Sequence, residues 1–526
     1  MPESREGGAP MSVRSDRIDR CIACYIRLAV RNIGHASMCR MMEERMTQQD
    51  LIVQLQTGQV RGSVANGVAV FKGIPYAASP VGAMRWRAPQ PVVAWDGIRD
   101  ATSFCPDCIQ SENKEAIQTT PSEDCLFVNI WTPAEIVRDD LLPVLVWVHG
   151  GGYVGGGSSI PYYDGTSFAR QGIVVVSVNY RLTRLGFFAH PALSRAAEGP
   201  VGNYGYLDQI AALEWVRDQI SLFGGDPGRV TLMGESAGGA SVLHLMTSPL
   251  VGDLFQQAVI LSGGGREAIV VRDMSNEQFG VLDARQTDSM FALPHGIIGD
   301  GERALDRLRN LDASTLAGDL TLKKLITIKL LGGPLPGVPV KDGELIVGEP
   351  QDHFLDGTSK QIPVIIGSTA IDLPLMFPPD KSNPLPWFGE HEAAAARAYG
   401  VDGAGDLDLE ETVKLLLDIA ADMTMHEPAH FVASTMKAAG EPAWVYRFTY
   451  TAESTRPETM AQVHGGELPF LFDTLDARFG DATTDSDRKV ARAFNTYVGN
   501  FIKQSDPNAT GLPDWPQVGS EAFNLL

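Results

Sequence analysis

The sequence lacks a long apolar run, an excess of basic residues and any internal repeat. No apolar stretch approaches the roughly 20 residues that a membrane-spanning helix needs, so no membrane span is predicted. The 526 residues include 43 Lys and Arg against 64 Asp and Glu, which gives a net charge of −21. Because nucleic-acid binding depends on basic contacts with phosphates, this charge argues against a nucleic-acid partner. With 44% hydrophobic and 20% charged residues, the composition is typical of a soluble globular protein.

Cysteine is also scarce, and its spacing gives little support for a metal site. The six residues are Cys21, Cys24, Cys39, Cys105, Cys108 and Cys125. A single C-x-x-C without a second pair or histidines is weak evidence for a ligand set, so no metal is predicted. Cys108 and Cys125 could close a short loop in an exported protein, which the chain-entropy account values at about 3 kcal/mol. In a reducing cytosol they would instead be thiols.

Residues 1–50 differ in composition from the rest of the chain, being rich in arginine and methionine. Their most apolar stretch, CIACYIRLAV, is interrupted by Arg27 and is not followed by a clear small-residue cleavage site. We therefore predict a disordered extension over residues 1–50 and a single domain over residues 51–526. The absence of a clear signal peptide favours a cytoplasmic location, with secretion as the alternative.

From residue 51 onward, short apolar runs alternate with helical patterns. Asn66-Gly67 between two β-rich runs predicts a hairpin. Strands buried on both faces are predicted by LPVLVWVHG, GIVVVSVNY, RVTLMGES, QAVILSGG and IPVIIGST. The segment LDQIAALEWVRDQISLF has helical spacing and is expected to end at Gly224-Gly225-Asp226-Pro227. This order predicts an α/β fold with a doubly wound, mostly parallel sheet. Residues 265–360 and 375–440 are predicted to be helical insertions that cap it.

Glycines surround one serine where a predicted strand meets a predicted helix. In VTLMGESAGGAS, Gly234 and Gly238 lie two residues to either side of Ser236. A nucleophile elbow requires a strand, a strained turn and a helix, with glycines where neighbouring backbone packs closely. The amides that open the helix can also stabilise negative charge. In this context we interpret Ser236 as a nucleophile rather than as a chance match to G-x-S-x-G.

A second glycine-rich stretch follows the strand LPVLVWV. His149 and the three glycines after it form the H-G-G-G pattern of esterase oxyanion loops. Gly150, Gly152 and Gly155 also match G-x-G-x-x-G, the fingerprint of dinucleotide sites. That fingerprint should open a helix, but SSIPYYDG follows here, so the oxyanion interpretation is favoured.

Three long blocks give the chain a family resemblance: FGGDPGRVTLMGESAGG, EDCLFVNIWTP and the H-G-G-G loop. Further matches are FKGIPYAASPVGAMRWRAP, NYRL and GNYGYLDQ. From about residue 51 to its end, the chain resembles type B carboxylesterases of the α/β-hydrolase superfamily, which are related to cholinesterases. The resemblance implies hydrolysis of small-molecule esters through an acyl-enzyme, without a metal or organic cofactor. It also implies that the amides of Gly151, Gly152 and Ala237 bind the oxyanion.

The resemblance further implies the base and the acid. His464 in AQVHGGELPFLF occupies the position of the family's catalytic histidine. In VIIGSTAIDLPL, Asp372 stands where relatives usually have glutamate. An aspartate can orient an imidazole, but it is one methylene shorter, about 1.5 Å, so its loop must bring the backbone closer. The alternative is that Asp372 is a turn residue and another carboxylate serves as the acid.

Supporting roles follow from the same resemblance. Ser262 matches a serine that hydrogen-bonds the acid, Glu235 is a supporting residue beside the nucleophile, and His149 is expected to be structural within the oxyanion loop. Arg85 and Glu123 resemble a buried ion pair.

Cys108 and Cys125 resemble the family's first disulfide pair. The stretch between them contains no tryptophan, and cholinesterases carry a choline-binding tryptophan there. A choline ester is therefore not the expected substrate.

Two other functions are compatible with such a sequence. One is a non-catalytic adhesion protein of the neuroligin type, although retention of Ser236, His464 and the glycine loop argues against it. The other is an amidase or thioesterase that uses the same triad. Residues 373–389 are expected to contribute an apolar pocket wall, whereas the ester itself and the oligomeric state are not predicted.

Overall fold

The computed structural model describes residues 51–111, 116–135, 140–267, 270–275, 282–372, 384–401, 407–456 and 461–519. The extension predicted over residues 1–50 lies outside these ranges, as do residues 373–383 of the expected pocket wall. The architecture given below is that of the described residues from Leu51 onward.

Most strands of the described residues belong to one large sheet. The strands are β1 (Leu51–Gln54), β2 (Gln59–Ala65), β3 (Val68–Pro75), β4 (Ile98–Asp100), β5 (Phe127–Pro133), β6 (Leu142–Val148), β7 (Val174–Val178), β8 (Gly225–Glu235), β9 (Gln257–Leu261), β10 (Arg272–Asp273), β11 (Val340–Lys341), β12 (Val364–Thr369) and β13 (Ala443–Phe448). In the described ranges the large sheet has 11 strands in the order β1-β2-β3-β5-β7-β6-β8-β9-β12-β13, with β4 beside β2. β10 and β11 pair separately.

The sheet is antiparallel at one end and parallel through its centre. β2, β3, β5 and β7 pair antiparallel, whereas β7, β6, β8, β9, β12 and β13 pair parallel. The five apolar runs all became strands of the parallel part, which confirms the predicted α/β fold. Asn66 and Gly67 have φ values of 52° and 78° and join β2 to β3 as the predicted hairpin.

Helices connect the parallel strands and cover the sheet. They are α1 (Thr166–Ala169), α2 (Thr183–Gly186), α3 (Pro191–Ala196), α4 (Tyr204–Gln219), α5 (Ala237–Thr247), α6 (Ala284–Ala292), α7 (Glu302–Arg309), α8 (Ala313–Ala317), α9 (Leu322–Leu330), α10 (Pro350–Leu355), α11 (Glu392–Ala398), α12 (Leu409–Ala421), α13 (Glu427–Ala438), α14 (Leu468–Leu471), α15 (Leu475–Phe479) and α16 (Asp485–Gln504). Short 3₁₀ segments lie at Gly82–Met84, Pro161–Tyr163, Ile220–Phe223, Leu293–His295, Leu385–His391 and Gly480–Ala482, and a π turn lies at Asp422–His426. In the described ranges no helix is long and apolar enough to cross a membrane.

The predicted helix in LDQIAALEWVRDQISLF ends at Gly224 as expected, with its last turn in the 3₁₀ form. α4 stops at Gln219, a 3₁₀ turn continues to Phe223, and Gly224 closes it in the left-handed region with φ 83°. β8 already begins at Gly225, so Asp226 and Pro227, which were expected to be part of the helix stop, lie at the start of the strand. The two insertions are helical as predicted: α13 packs against β12 and β13, and Leu322 at the start of α9 reaches the glycine loop after β6.

The resemblance-based ion pair is present, but the two cysteines are thiols. Arg85 Nε and Glu123 Oε1 lie 2.5 Å apart, with a second bond between the same side chains at 2.7 Å. Cys108 and Cys125 are buried free thiols next to each other. Their mutual hydrogen bond, together with burial, raises the pKa of Cys125 well above its ordinary value. The disulfide that the resemblance implies is therefore not formed in this structure.

Candidate active site

Ser236 occupies a strained turn between β8 and α5. Its φ of 56° and ψ of −120° lie in a region that residues with a side chain rarely adopt. The flanking glycines make this turn possible, because an added Cβ at Gly234 would overlap the backbone of Gly238. An added Cβ at Gly238 would overlap the carbonyl oxygen of Val148 at the end of β6. The strand, turn and helix thus present the serine at the carboxyl edge of the parallel strands.

The structure brings Ser236, His464 and Asp372 together in one hydrogen-bonded chain. His464 Nε2 lies 2.8 Å from Ser236 Oγ, and His464 Nδ1 lies 2.5 Å from Asp372 Oδ1. The second oxygen of Asp372 accepts hydrogen bonds from Ser262 Oγ at 2.6 Å and from the Thr369 N–H at 3.0 Å. Asp372 is fully buried, and both of its carboxylate oxygens have hydrogen-bond partners in the protein. Ser262 therefore lies where the resemblance placed it.

Backbone pairing brings the short acid within reach of the base. The N–H of Ile371 donates to the carbonyl of Gln462 at 2.9 Å, and Ile371 forms an isolated parallel bridge with Val463. Ile371 immediately precedes Asp372, and Val463 immediately precedes His464. The backbone pairing therefore holds the loop that carries Asp372 beside the loop that carries His464.

The site concentrates carboxylates around one imidazole. Burial opposes the charged form of His464, but the negative charges of Asp372 and Glu235 outweigh it and raise the pKa of His464 to about 10. Burial also opposes the charged form of Asp372, but His464 and the hydrogen bonds from Ser262 and Thr369 outweigh it and hold the Asp372 pKa below its ordinary value. The geometry therefore favours an Asp372 carboxylate paired with the imidazole.

Two further buried glutamates lie close to this pair. Glu235 Oε1 is 3.3 Å from His464 Nε2, and burial together with Asp372 raises the pKa of Glu235 to about 7. Burial and the charges of Glu235 and Asp372 raise the pKa of Glu467 to about 8. No role was predicted for Glu467 from the sequence, although it lies three residues after His464 in AQVHGGELPFLF. Glu467 could therefore have been found in the same stretch that identified His464.

The glycine loop after β6 folds tightly beside the serine. Gly151 and Gly152 have φ values of 111° and 62°, and a side chain at Gly151 would overlap the carbonyl of Gly155. The Gly151 carbonyl accepts the N–H groups of Val154 at 3.1 Å and Gly155 at 3.0 Å. Across the described residues, the N–H groups of Gly151 and Gly152 have no protein acceptor. The glycines open no helix, which is contrary to the dinucleotide alternative.

His149 is buried within this loop. Its Nδ1 lies 2.8 Å from the carbonyl oxygen of Gly150, and its ring stacks on Tyr180 with centroids 4.5 Å apart. Burial lowers its pKa, so the imidazole is neutral at pH 7. These contacts place His149 as packing for the loop rather than as a second base.

A cavity of about 370 Å³ opens onto the serine. Its lining includes Gly150, Gly151, Gly156, Ile160, Tyr162, Tyr163, Glu235, Ser236, Leu322, Thr455, Gln462, Val463, His464, Gly465, Gly466, Leu468, Pro469, Arg478 and Phe479. Residues 373–389 were expected to form an apolar wall of the pocket, but none of them is among these lining residues. Positions 373–383 lie outside the described ranges. A small organic molecule could approach Ser236 through this cavity.

A strained serine between strand and helix, at the carboxyl edge of a mostly parallel sheet, defines the α/β-hydrolase class. The sequence model described as the carboxylesterase family matches residues 49–526. The chain belongs to this family, and the resemblance found in its motifs is confirmed.

Individual relatives cover most of the chain. A fumonisin B1 esterase from Sphingopyxis macrogoltabida is 34% identical over 486 residues, which is 89% of this chain and 84% of that protein. The para-nitrobenzyl esterase of Bacillus subtilis strain 168 is 35% identical over 496 residues, covering 91% and 95%. A solved PNB esterase structure has a TM-score of 0.72 at 34% identity and covers 89% of this chain and 94% of its own. The protein is accordingly a carboxylic ester hydrolase.

Proposed function

We propose that the protein is a serine carboxylesterase that hydrolyses small-molecule esters through an acyl-enzyme on Ser236. The hydrogen-bonded chain from Ser236 through His464 to Asp372, at the strained turn, carries this proposal. A serine hydroxyl is a weak nucleophile at neutral pH and needs a neighbouring base. The Nε2 of His464, 2.8 Å from Oγ, is placed to take its proton.

In the first step, Ser236 Oγ forms a bond to the ester carbonyl carbon and its proton passes to His464 Nε2. Asp372 holds the imidazole by Nδ1 and stabilises its protonated form. The amides of Gly151, Gly152 and Ala237 donate to the oxyanion of the tetrahedral intermediate. The intermediate then expels the alcohol, which receives the proton from His464. Water attacks the acyl-enzyme by the same route and releases the acid.

Replacement of the nucleophile tests this proposal directly. Ser236→Ala should abolish hydrolysis of p-nitrophenyl acetate and covalent labelling by an organophosphate. The exposed Ser194→Ala on α3 is a matched control and should retain both. Mass spectrometry of the labelled wild-type protein should locate one adduct on the peptide containing Ser236. Stoichiometric labelling elsewhere, or undiminished turnover in Ser236→Ala, would refute the assignment.

Two alternative functions are distinguishable by rate measurements. A non-catalytic relative would fail to hydrolyse p-nitrophenyl acetate, and the arrangement of Ser236, His464 and Asp372 argues against it. An amidase or thioesterase would prefer the corresponding amide or thioester when three substrates with the same acyl group are compared. Esters of graded acyl length would then define the acyl preference.

A further inference from the structure

Three buried polar side chains form a hydrogen-bonded row that begins at the residue after the loop glycines. The hydroxyl oxygens of Tyr153 and Tyr206 are 2.8 Å apart, and the Tyr206 hydroxyl lies 2.7 Å from His244 Nδ1. The three residues are 1%, 0% and 3% exposed, respectively. Tyr153 follows the oxyanion glycines, Tyr206 is on α4 and His244 is on α5. The row therefore joins the glycine loop to the helix that begins after the nucleophile.

A second set of contacts reaches the other side of the predicted oxyanion hole. Ser241 Oγ donates to the carbonyl of Ala237 at 2.8 Å, and Gln209 Nε2 donates to Ser241 Oγ at 3.3 Å. Ser241 and His244 are both on α5, and Gln209 and Tyr206 are both on α4. Through Gln209, α4 is hydrogen-bonded to Ser241, which bonds the carbonyl of Ala237. Through Tyr206, it is hydrogen-bonded to Tyr153 after the loop glycines.

Tyr153 has a backbone conformation that needs external support. Its φ of 63° is unfavourable for a bulky side chain. Its carbonyl accepts the N–H of Thr183 at 2.8 Å, and its ring contacts those of Phe187 and Tyr206 edge-on. The Tyr153 hydroxyl is buried, and its hydrogen bond to Tyr206 ties the side chain to α4. The hydrogen bond to Tyr206 is therefore suited to fixing the conformation of the loop.

The tautomer of His244 sets the direction of both hydrogen bonds. Burial lowers its pKa to about 4, so the imidazole is neutral at pH 7. With its proton on Nε2, the Nδ1 atom accepts from Tyr206, whose oxygen then accepts from Tyr153; with its proton on Nδ1, both bonds run in the opposite direction. Each hydroxyl in this arrangement has a defined role, and successive bonds of the same sense reinforce one another.

We propose that Tyr153, Tyr206 and His244 are positioning residues that hold the oxyanion loop in register with the nucleophile helix. They act on catalysis by fixing the spacing of the Gly151, Gly152 and Ala237 amides. This proposal rests on the proposed serine esterase function. Among the described hydrogen bonds, none links the three side chains to Ser236, His464 or Asp372, so their effect is exerted through the backbone.

Tyr206→Phe is the sharpest test because it removes both hydrogen bonds and keeps the ring. Loss of one oxyanion donor costs roughly 100- to 1,000-fold in kcat, so displaced donors should cost about 10- to 100-fold. We expect that loss in kcat, with KM for p-nitrophenyl acetate changed less than about twofold. Tyr204→Phe, at a fully buried tyrosine two residues away on α4, is the control and should retain kcat. Rates are expressed per active site, counted from the end point of organophosphate labelling.

A trifluoromethyl ketone provides a readout that a purely structural role would not move. Ser236 Oγ would add to its carbonyl carbon, leaving an oxyanion at the amides while the proton moves to His464. In Tyr206→Phe its inhibition constant should rise by the same factor as kcat/KM falls. The pair Tyr153→Phe and Tyr206→Phe should be non-additive, since either change breaks the same bond.

Several outcomes would overturn the inference. One is a lower melting temperature of Tyr206→Phe with kcat per titrated site and ketone affinity unchanged. Another is a double variant whose loss equals the product of the single losses. If Tyr206→Phe does not fold, Tyr153→Phe is judged by the same two readouts. A wild type that is inactive and unlabelled would overturn the proposed function together with this inference, whereas an active wild type isolates the test of the three side chains.

Discussion

Replacing Asp372 with asparagine should do more than remove a charge, because the surrounding donors dictate how the new amide is oriented. Asp372 Oδ2 accepts from the Thr369 N–H at 3.0 Å and from Ser262 Oγ at 2.6 Å. A backbone N–H can only donate, so the amide oxygen of asparagine must take this position. The NH₂ group then faces Nδ1 of His464, where Oδ1 lies now.

An NH₂ group at that position forces His464 into the opposite tautomer. Nδ1 becomes the acceptor, and the imidazole proton moves to Nε2, which faces Ser236 Oγ at 2.8 Å. The serine proton then has no acceptor. Loss of the correct tautomer in serine hydrolases lowers kcat about 10⁴-fold, which corresponds to about 5.4 kcal/mol at about 1.36 kcal/mol per tenfold.

The assay is turnover of p-nitrophenyl acetate per organophosphate-titrated site. Asp372→Asn should lose about 10⁴-fold in kcat, whereas Asp356→Asn, at an exposed aspartate, should be unchanged. Asp372→Glu keeps an acceptor on both sides and should lose much less, limited by about 1.5 Å of extra reach. A loss of less than about tenfold in Asp372→Asn would refute the argument and assign the acid role to another carboxylate.

Two further predictions concern the charge cluster and the packing of the turn. His464 must be neutral to accept the serine proton, and its pKa is raised to about 10, so activity should fall as pH decreases, with a midpoint above 6.5. Glu235→Gln removes one of the charges that raise this pKa and should move the midpoint of kcat/KM to lower pH; an unchanged midpoint would contradict this reading. Gly238→Ala places a methyl group against the Val148 carbonyl and should cost about 1–3 kcal/mol or more in unfolding free energy. Its control, Gly301→Ala, has open space around the new Cβ and should leave the melting temperature within a few degrees.

Local sequence predicted those features whose causes are local. Apolar runs long enough to cross a buried sheet became β6, β7, β8, β9 and β12, because each carries its own hydrophobic surface. The glycines on either side of Ser236 predicted that neighbouring backbone packs closely against this turn, as it does at Gly234 and Gly238. By contrast, the helix stop at Gly224 was predicted, but the start of β8 at Gly225 was not, because it depends on the pairing of Gly225 with Leu142 on β6.

The chain's amino acids by themselves determined a mostly parallel α/β sheet, a serine at a strained turn and a glycine loop, because these depend on residues adjacent in sequence. Only the tertiary structure decided how an aspartate reaches the base, through pairing of Ile371 with Val463. It also decided that Glu467 lies beside the cluster and that Tyr153, Tyr206 and His244 form one hydrogen-bonded row. Ser236 and His464, which are hydrogen-bonded in the site, are 228 residues apart in the sequence, so only the folded sheet brings them together.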